Sequence, residues 1–376
     1  MSTVSGMSSV LGYAGFDSLK TLEAAITASR PDIIVPCDDR AVWQLHVLHA
    51  LRPELRGLIE TSMGRPSSFS QIRSRAGVMT AAQEAHVRVP ETRQVHSEND
   101  IRGWFMSHPG VAIVKLDGTW GGRGVQIVGS ERQATEAWLR FTAPETPAKA
   151  LKRWIIDRDP LAFWPKQSHE SRAVSIQKFI PGRPANTMLA AWRGELLGLV
   201  SVEVLCTQGP TGASTVVRII RHPEIERFAR ALVSRLGLSG FHGLDFILEE
   251  GSGAPYLIEL NARCTQLGHL ILPGQGDLAG LLCAALGAPG AMRKELPIDR
   301  EIIAFFPQAL IWNPDSPYMQ QCHHDVPWTE RALVRELVRE PWAERQWLSR
   351  FYHWMRGRER KSLPNVANLL RSAREL

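Results

Sequence analysis

A lysine-ended strand followed by a glycine-rich loop is the feature of this sequence that most constrains its fold. The run Val-Ala-Ile-Val-Lys115 precedes Leu-Asp-Gly118-Thr-Trp-Gly121-Gly122-Arg-Gly124, and a second β-branched run, Val-Gln-Ile-Val, comes next. Two short strands separated by such a loop predict a β-hairpin. Glycines let backbone N–H groups approach phosphate oxygens without a Cβ in the way, and Lys115 supplies a positive charge. The segment predicts a phosphate-binding hairpin, with a plain glycine-rich turn as the alternative.

The loop differs from two common nucleotide-binding loops. It contains neither GxxxxGK[ST], the phosphate loop of many ATPases, nor GxGxxG, the dinucleotide fingerprint. A strand rather than a helix follows it, whereas both of those motifs lead into a helix. A different kind of phosphate site is therefore predicted.

A second polar cluster is predicted much later in the chain, on two neighbouring strands. Glu259, Asn261 and Arg263 alternate with apolar residues in Leu-Ile-Glu-Leu-Asn-Ala-Arg, so they share one face of a strand. If the strand around Asp245 is its hairpin partner, Asp245 joins that face. Two carboxylates and an amide oxygen form the hard ligand set that Mg²⁺ prefers when phosphates complete its shell. A solvated strand face is the alternative interpretation.

The lysine strand with its glycine loop, the acidic strand and the ExNxR run, in this order, resemble the ATP-grasp superfamily. That superfamily includes biotin carboxylase, carbamoyl phosphate synthetase and D-alanine:D-alanine ligase. The resemblance extends from about residue 31 to residue 290. It implies an α/β protein with the α+β ATP-grasp fold, in which two α+β subdomains clasp ATP, and it implies ATP and Mg²⁺ (or Mn²⁺) as cofactors.

The resemblance also assigns roles to individual residues. The segment Gln177-Lys178-Phe179-Ile180 resembles the hinge between the subdomains, whose backbone pairs with adenine and whose first side chain, normally glutamate, reaches the amino group of adenine. Arg263 and Lys115 are the implied catalytic residues. The implied nucleotide-binding residues are Arg75, Lys115, Gly121, Gly122, Gly124, Gln177, Lys178, Phe179 and Ile180, and the implied metal ligands are Asp245, Glu259 and Asn261.

Two residues of the site depart from the pattern of the superfamily. Pro184 stands where the ribose-binding glutamate usually follows the hinge, so that contact would fall to another group such as Asn186. Asp245 replaces the more usual glutamate, a change that other members of the superfamily tolerate.

The order of predicted elements suggests three domains. A helix, a buried strand at residues 32–36 and a second helix predict part of a parallel, Rossmann-like sheet. The resemblance implies that residues 1–72 form a partial preATP-grasp domain. The resemblance also implies an ATP-grasp domain over 73–290, with a central lid subdomain at 73–180 and a metal-binding subdomain at 181–290. A helical, Trp- and Arg-rich C-terminal extension covers 291–376. Hydrophobic periodicity predicts helices at 75–87 and 222–236, and strands at 173–177, 214–220, 244–248 and 256–260.

The composition fits a protein of the reducing cytoplasm. Its 376 residues contain five cysteines without any CxxC spacing, which favours neither a disulfide framework nor a zinc ribbon. No apolar run approaches the ~20 residues of a membrane span. The net charge of +6 favours anionic partners, and nucleotide phosphates account for it as well as nucleic acid does. We therefore expect no specific nucleic-acid partner. The oligomeric state is left open, with a homodimer as one option.

The expected activity is that of an ATP-dependent carboxylate–amine ligase acting on small molecules. Such an enzyme forms an acyl phosphate and releases ADP and phosphate. Asp245, Glu259, Asn261 and Arg263 together favour catalysis, because a pocket that only binds adenine needs none of them. A non-catalytic ATP-binding regulator and an ATP-grasp phosphotransferase are the alternatives. Arg218 is a weaker candidate for holding the acceptor carboxylate, and no motif identifies either substrate.

Overall fold

The computed structural model describes residues 18–118, 124–143, 173–209, 212–271, 277–288 and 300–339. Contacts divide the chain into two units. The first contains Met1–Arg30, Ala143–Ser171 and Ile302–Leu376, and the second contains Pro31–Thr142 and Arg172–Glu301. Every residue of the predicted site belongs to the second unit.

Both units contain helices and strands. The described helices are α1 (Ser18–Ser29), α2 (Asp39–Leu51), α3 (Arg56–Met63), α4 (Phe69–Arg73), α5 (Arg75–Glu84), α6 (Glu98–Ser107), α7 (Glu131–Thr142), α8 (Pro223–Leu236), α9 (Leu278–Ala285), α10 (Gln308–Trp312) and α11 (Arg331–Leu337). The described strands are β1 (Thr92–Val95), β2 (Ala112–Leu116), β3 (Val125–Val128), β4 (Val174–Lys178), β5 (Gly182–Trp192), β6 (Glu195–Thr207), β7 (Ser214–Ile220), β8 (Gly240–Glu249), β9 (Pro255–Asn261), β10 (Ile302–Phe305) and β11 (His323–Asp325).

The beginning of the second unit is helical. The prediction of a strand at residues 32–36 is wrong. The described chain before residue 92 contains no strand, and residues 32–36 belong to neither of the described sheets. Its backbone bonds elsewhere: Ile34 N donates to Ser62 Oγ at 2.9 Å, and Pro36 O accepts from Cys264 N at 2.8 Å. The parallel sheet predicted for this part of the chain has no counterpart in its described residues.

A small antiparallel sheet in the order β1-β4-β2-β3 follows these helices. β2 and β3 flank the glycine-rich loop, and Lys115 lies opposite Val125, so the predicted hairpin is confirmed. Helices α6 and α7 pack against one face of the sheet. The buried residues of this core are Val95, Ile101, Trp104, Ala112, Val114, Leu116, Val128, Ala134, Ala137, Phe141, Val174 and Ile176.

The other face of the small sheet carries buried polar side chains. Because residues opposite one another on paired strands point to the same side, Thr92, Lys115, Ser175 and Gln177 share a face, away from Val114 of the core. The exposed fractions of Lys115, Ser175 and Gln177 are only 5%, 3% and 2%. Polar groups buried this deeply are normally satisfied by hydrogen bonds or by a ligand, which makes this face a candidate binding surface.

A larger antiparallel sheet forms the rest of the second unit, with its strands in the order β7-β6-β5-β8-β9. Asp245 of β8 lies opposite Asn186 of β5 on one side and Glu259 of β9 on the other. The predicted pairing of the strands around Asp245 and Glu259 is therefore confirmed. It places three polar residues in one row on one face of the sheet.

Helix α8 packs against β6 of the larger sheet and has clear sequence signals at both ends. It begins with Pro223 and has Glu224 and Glu226 in its first turn, where negative charge complements the helix dipole. Gly237 ends it in the left-handed conformation at φ 61°, which glycine adopts without strain. Its apolar side chains, including Ile225, are buried, so the predicted helix is confirmed.

The first unit contains α1, α10, α11 and the parallel pair of β10 and β11, in which Ile303 lies opposite His323. Residues 340–376 of the predicted Trp- and Arg-rich C-terminal extension lie outside the described residues. In the described parts of both units, no helix combines the length and apolar character needed to cross a bilayer. The predicted domain boundaries at residues 72, 180 and 290 stay predictions.

Candidate active site

Asp245 lies at the centre of the candidate site, held between two side-chain amides. Asn186 Nδ2 donates to Asp245 Oδ1 at 2.6 Å, and Asn261 Nδ2 donates to Oδ2 at 3.0 Å. Glu259 lies directly opposite on β9. The structure therefore brings all three predicted metal ligands, Asp245, Glu259 and Asn261, into one cluster.

The environment of Asp245 disfavours its charged form. Burial raises its pKa to about 6, and repulsion from Glu259 acts in the same direction. The bonds from Asn186 and Asn261 and the charge of Arg263 act the other way but do not cancel the effect. Two facing carboxylates, one of them buried with a raised pKa, form a site that a cation would stabilise.

Arg75 connects this cluster to the small sheet. Its Nη2 donates to Glu259 Oε1 at 2.8 Å, and its Nη1 donates to Leu116 O at 3.3 Å. Arg75 is the first residue of α5, whose N-cap, Ser74, accepts a hydrogen bond from Gly77 N. The capped helix end fixes the backbone from which the guanidinium reaches both sheets.

Lys115 brings a second cation to the same place. Its Nζ lies 3.5 Å from Ile258 O, the residue before Glu259. Burial, and then the charge of Arg75, lower the pKa of Lys115 to about 8, while Glu259 and Asp245 partly oppose the shift. Lys115 thus remains protonated at neutral pH in a desolvated position, where its attraction for an anion is strong.

The glycine loop beside Lys115 is described only in part. Leu116 N donates to Gly124 O at 2.8 Å, which closes the end of the hairpin at Gly124. Gly118 has φ 69°, a conformation that favours glycine. Gly121 and Gly122 lie outside the described residues.

Arg263 approaches the cluster from the end of β9 and is anchored by Asp39. Its Nε donates to Asp39 Oδ1 at 2.9 Å, and its Nη2 donates to Asn261 Oδ1 at 3.3 Å. Because a guanidinium only donates, the Asn261 oxygen must face Arg263 while its NH₂ faces Asp245. Asn261 would therefore have to turn its amide over to act as the predicted metal ligand.

The predicted hinge begins with a buried acceptor atom. Gln177 Nε2 donates to Thr92 Oγ1 at 2.9 Å, whereas Gln177 Oε1 is buried and has no partner among the described residues. Lys178 is exposed and its backbone N donates to Glu91 O at 2.9 Å. Phe179 is half-buried and Ile180 is buried. A buried acceptor without a donor fits the amino group that the hinge is predicted to bind.

A family model matches the middle of the chain. Residues 161–266 match a family model described as the ATP-grasp domain. The chain carries an ATP-grasp domain. The match spans β4 to β9, which contain Gln177, Asp245, Glu259 and Asn261.

Solved structures share this ATP-grasp fold at low sequence identity. Biotin carboxylase from Campylobacter jejuni gives a TM-score of 0.52 at 13% identity, over 75% of this chain and 59% of that chain. L-amino acid ligase from Bacillus licheniformis gives 0.50 at 17% identity, over 76% and 64%. Carboxyaminoimidazole ribonucleotide synthase from Aspergillus clavatus, complexed with ATP, gives 0.52 at 13% identity, over 77% and 68%. The predicted α+β ATP-grasp fold is confirmed.

The similarity covers only part of the length of the compared structures. The chain spans 51% and 59% of the length of two biotin carboxylase structures that it matches. No curated protein sequence matches it. At identities this low, the solved structures show only that the fold is shared. The chemistry of this ATP-grasp domain is inferred from its own residues.

The carboxylate pair of the ATP-grasp domain fits a divalent cation that is shared with a nucleotide. No group of three His, Cys, Asp or Glu side chains in the described part of the chain could hold a metal by itself. Mg²⁺ is commonly bound by one or two carboxylates together with substrate phosphates, and Asp245 and Glu259 supply that number. The cations Arg75 and Lys115 lie beside them.

Three polar residues that the sequence did not assign to the cluster also lie there. Asp39 anchors Arg263, Asn186 holds Asp245 rather than being free for ribose, and Asp117 follows Lys115 by two residues. Burial raises the pKa of Asp117, although Arg75 opposes the shift. Its Oδ1 is buried without a partner among the described residues. Only its closeness to Lys115 in the sequence could have suggested its position.

Arg218 does not join this cluster. It lies opposite Glu203, and Glu203 lies opposite Ala185, the residue before Asn186. Because neighbouring residues of a strand face opposite sides, Arg218 points to the other face of the sheet from Asp245. There its Nη1 lies 3.6 Å from Glu203 Oε2. The suggestion that Arg218 holds the acceptor carboxylate is therefore not supported by its position.

We expect Asp245→Asn to stabilise the ligand-free protein relative to wild type as pH rises. The folded-state pKa of Asp245, about 6, exceeds its ordinary value of 3.8, so ionisation opposes folding. This penalty is absent below about pH 4 and complete above pH 6, and amounts to on the order of 1–3 kcal/mol. Chemical denaturation of wild type and variant at pH 4 and pH 7.5 measures it.

Asp100→Asn is a control of opposite sign for this measurement. Hydrogen bonds from His96 and Ser97 lower the pKa of Asp100, so its ionised form stabilises the fold above the ordinary pKa. That variant should lose stability relative to wild type as pH rises. A pH-independent difference between wild type and Asp245→Asn would contradict the raised pKa of Asp245, which burial causes first and Glu259 second.

Proposed function

We propose that the chain is an Mg-ATP-dependent ligase that joins a small-molecule carboxylate to an amine through an acyl phosphate. The observation that supports this most is the carboxylate pair Asp245–Glu259 with Arg75, Lys115 and Arg263 around it. A pocket that only holds adenine does not require two facing carboxylates, whereas phosphoryl transfer requires a metal and positive charge at the γ-phosphate.

The three cations have complementary positions in this proposal. Arg75 and Lys115 come from the side of the small sheet and would hold the phosphates, and Arg263 comes from the far end of β9, where the acceptor carboxylate would lie. Bound at Asp245 and Glu259, Mg²⁺ would supply further neutralisation of the phosphate oxygens. Each of these groups acts by position and charge, so no side-chain nucleophile is needed.

The chemistry then follows in two steps. A carboxylate oxygen of the substrate attacks the γ-phosphorus, and the bond to the β–γ bridging oxygen breaks, so that ADP leaves. The amine attacks the acyl carbon of the acyl phosphate, loses a proton, and inorganic phosphate leaves. The burial of Lys115 would help to shield the acyl phosphate from water and so from hydrolysis.

The remaining assignments belong to the same proposal. Residues 73–180 would form the lid over the nucleotide, and residues 181–290 would hold the metal. Small-molecule carboxylates and amines would be the partners, and the free cysteines favour a cytoplasmic enzyme. A homodimer stays an option.

We expect Mg-ATP to raise the thermal midpoint and a substrate pair to release ADP and phosphate. A ligand present at 100 times its Kd stabilises the folded state by about 2.7 kcal/mol. Amino acids, short peptides and other carboxylates, each with and without an added amine, would be screened for ADP and phosphate release.

The products distinguish this proposal from its alternatives. AMP and pyrophosphate would indicate adenylation instead of acyl phosphate formation. ADP with a phosphorylated hydroxyl product would indicate a phosphotransferase. A raised thermal midpoint without turnover of any pair would favour a regulator, and an unchanged midpoint in saturating Mg-ATP would contradict nucleotide binding itself.

A further inference from the structure

We propose that Thr92 determines the base specificity of the nucleotide site by fixing the orientation of the Gln177 side-chain amide. The inference rests on the proposed binding of ATP and assigns Thr92 as a positioning residue that acts through Gln177. No sequence motif marks Thr92, which lies on β1, the strand at the edge of the small sheet.

The orientation of the Gln177 amide follows from a chain of two hydrogen bonds. Thr92 Oγ1 lies 2.9 Å from Pro90 O, and a carbonyl oxygen can only accept, so the single hydroxyl hydrogen of Thr92 is donated to Pro90. Thr92 Oγ1 can then only accept from Gln177, which lies 2.9 Å away. The NH₂ of Gln177 must therefore face Thr92.

This order leaves the carbonyl oxygen of Gln177 directed away from Thr92. Gln177 Oε1 is buried, and the described residues offer it no donor. It lies on the polar face of the small sheet that also carries Lys115 and the buried hydroxyl of Ser175. The same face thus presents a fixed acceptor at one position and a phosphate-binding cation at another.

A fixed acceptor distinguishes between purine bases. The 6-amino group of adenine donates a hydrogen bond to Gln177 Oε1, whereas the 6-oxo group of hypoxanthine or guanine would bring a second acceptor against it. A glutamate, the usual first residue of the hinge that this segment resembles, accepts in either orientation. A glutamine can turn over and offer its NH₂ to an oxo group, so selectivity with Gln177 requires a residue that prevents the turn.

The experiment compares binding of Mg-ATP and Mg-ITP, which share the sugar and phosphates and differ in the base. We expect wild type to bind ATP more tightly than ITP by about 10- to 100-fold. With ITP, one buried hydrogen bond to Gln177 Oε1 is replaced by two acceptor oxygens that face each other. Thr92→Val keeps the shape of the side chain but removes the hydroxyl. The ATP-to-ITP ratio should fall by about tenfold in this variant, through both weaker ATP and stronger ITP binding. Calorimetric titration measures both affinities without any knowledge of the acceptor substrate.

Two variants separate positioning from general stability. Thr92→Ser keeps the hydroxyl and should retain the ratio of wild type. Thr187→Val removes a buried hydroxyl that lies 2.9 Å from Ser201 Oγ on the larger sheet, and it should also retain the ratio. An ATP-to-ITP ratio in Thr92→Val equal to that of wild type would overturn the inference. A loss of stability alone would weaken the binding of both nucleotides and leave their ratio unchanged.

A double-mutant cycle tests the mechanism through Gln177. In Gln177→Glu the side chain can only accept, so adding Thr92→Val should leave the ATP-to-ITP ratio unchanged. An equal drop of the ratio in both backgrounds would overturn the role of the amide.

Wild type alone provides a further test if Thr92→Val does not fold. A preference for ITP over ATP, or equal affinity for both, would overturn the fixed acceptor. Failure of wild type to bind either nucleotide would instead overturn the proposed function on which the inference rests.

Discussion

Replacing Glu259 by Gln is expected to reduce phosphoryl transfer by orders of magnitude while the protein remains folded. The substitution keeps the size of the side chain and one oxygen but removes the negative charge. If Glu259 holds the metal with Asp245, that charge is needed to position Mg²⁺ at the transferring phosphate. Turnover with an identified substrate pair and thermal stability without ligand are the two measurements.

The ion pair between Glu259 and Arg75 makes a stability control necessary. Arg75 Nη2 lies 2.8 Å from Glu259 Oε1, and Glu259 is 34% exposed, so losing the pair should cost about 1 kcal/mol or less. Relief of the repulsion between Glu259 and Asp245 acts in the opposite direction. The ligand-free variant should therefore be nearly as stable as wild type.

Glu224→Gln is the matched control for this prediction. Glu224 is 24% exposed, pairs with Arg88 at 3.2 Å and with Arg227 at 2.8 Å, and lies on a different element from the carboxylate pair, α8. Both variants lose a partly buried ion pair, but only Glu259→Gln should lose turnover. Turnover near that of wild type in a well-folded Glu259→Gln variant would refute the metal assignment.

Much of the fold could be predicted because its signals are local. β-Branched runs on both sides of the glycine loop predict the β2–β3 hairpin, and alternation on β9 predicts the shared face of Glu259 and Asn261. Acidic residues at the start of α8 and Gly237 at its end predict that helix. In each case the deciding residues are close together in the chain, and tertiary packing agrees with the local preference.

The error at residues 32–36 has a different cause. An apolar run of this length forms a strand only when another strand is available beside it, and the sequence does not reveal the neighbour. Here the segment lies next to Ser62 and Cys264, and its backbone groups bond to single atoms instead of a ladder. Hydrophobicity alone could not separate these two environments.

The site was predictable in its charged residues and unpredictable in the residues that orient them. Lys115, Asp245 and Glu259 stand in recognisable patterns, whereas Asp39, which holds Arg263, is 224 positions away from it in the sequence. Such a partner depends on how helices and sheets pack, and no local rule identifies it. The orientation of Asn261 depends on the same contact, because Arg263 occupies its oxygen.

The second large effect is expected for Lys115→Met, which should remove most of the thermal stabilisation by Mg-ATP. Methionine keeps the apolar stem of the buried side chain and deletes the charge. A desolvated lysine bonded to phosphate contributes roughly 1.5–3 kcal/mol, so nucleotide affinity should fall by about 10- to 100-fold. The exposed Arg132 on α7 provides a control, since Arg132→Met also removes a cation from the small-sheet region but should leave nucleotide binding unchanged.

The pH dependence of binding distinguishes the charge of Lys115 from its packing. Its folded-state pKa of about 8 is below the ordinary value of 10.5, so above pH 8 the ligand-free protein loses the proton that a bound phosphate requires. Affinity of wild type for Mg-ATP should therefore decline as pH rises from 8 to 10, while that of Lys115→Met should vary much less. Parallel declines in the two proteins would show that another group titrates. An Mg-ATP stabilisation in Lys115→Met equal to that of wild type would remove Lys115 from the phosphate site altogether.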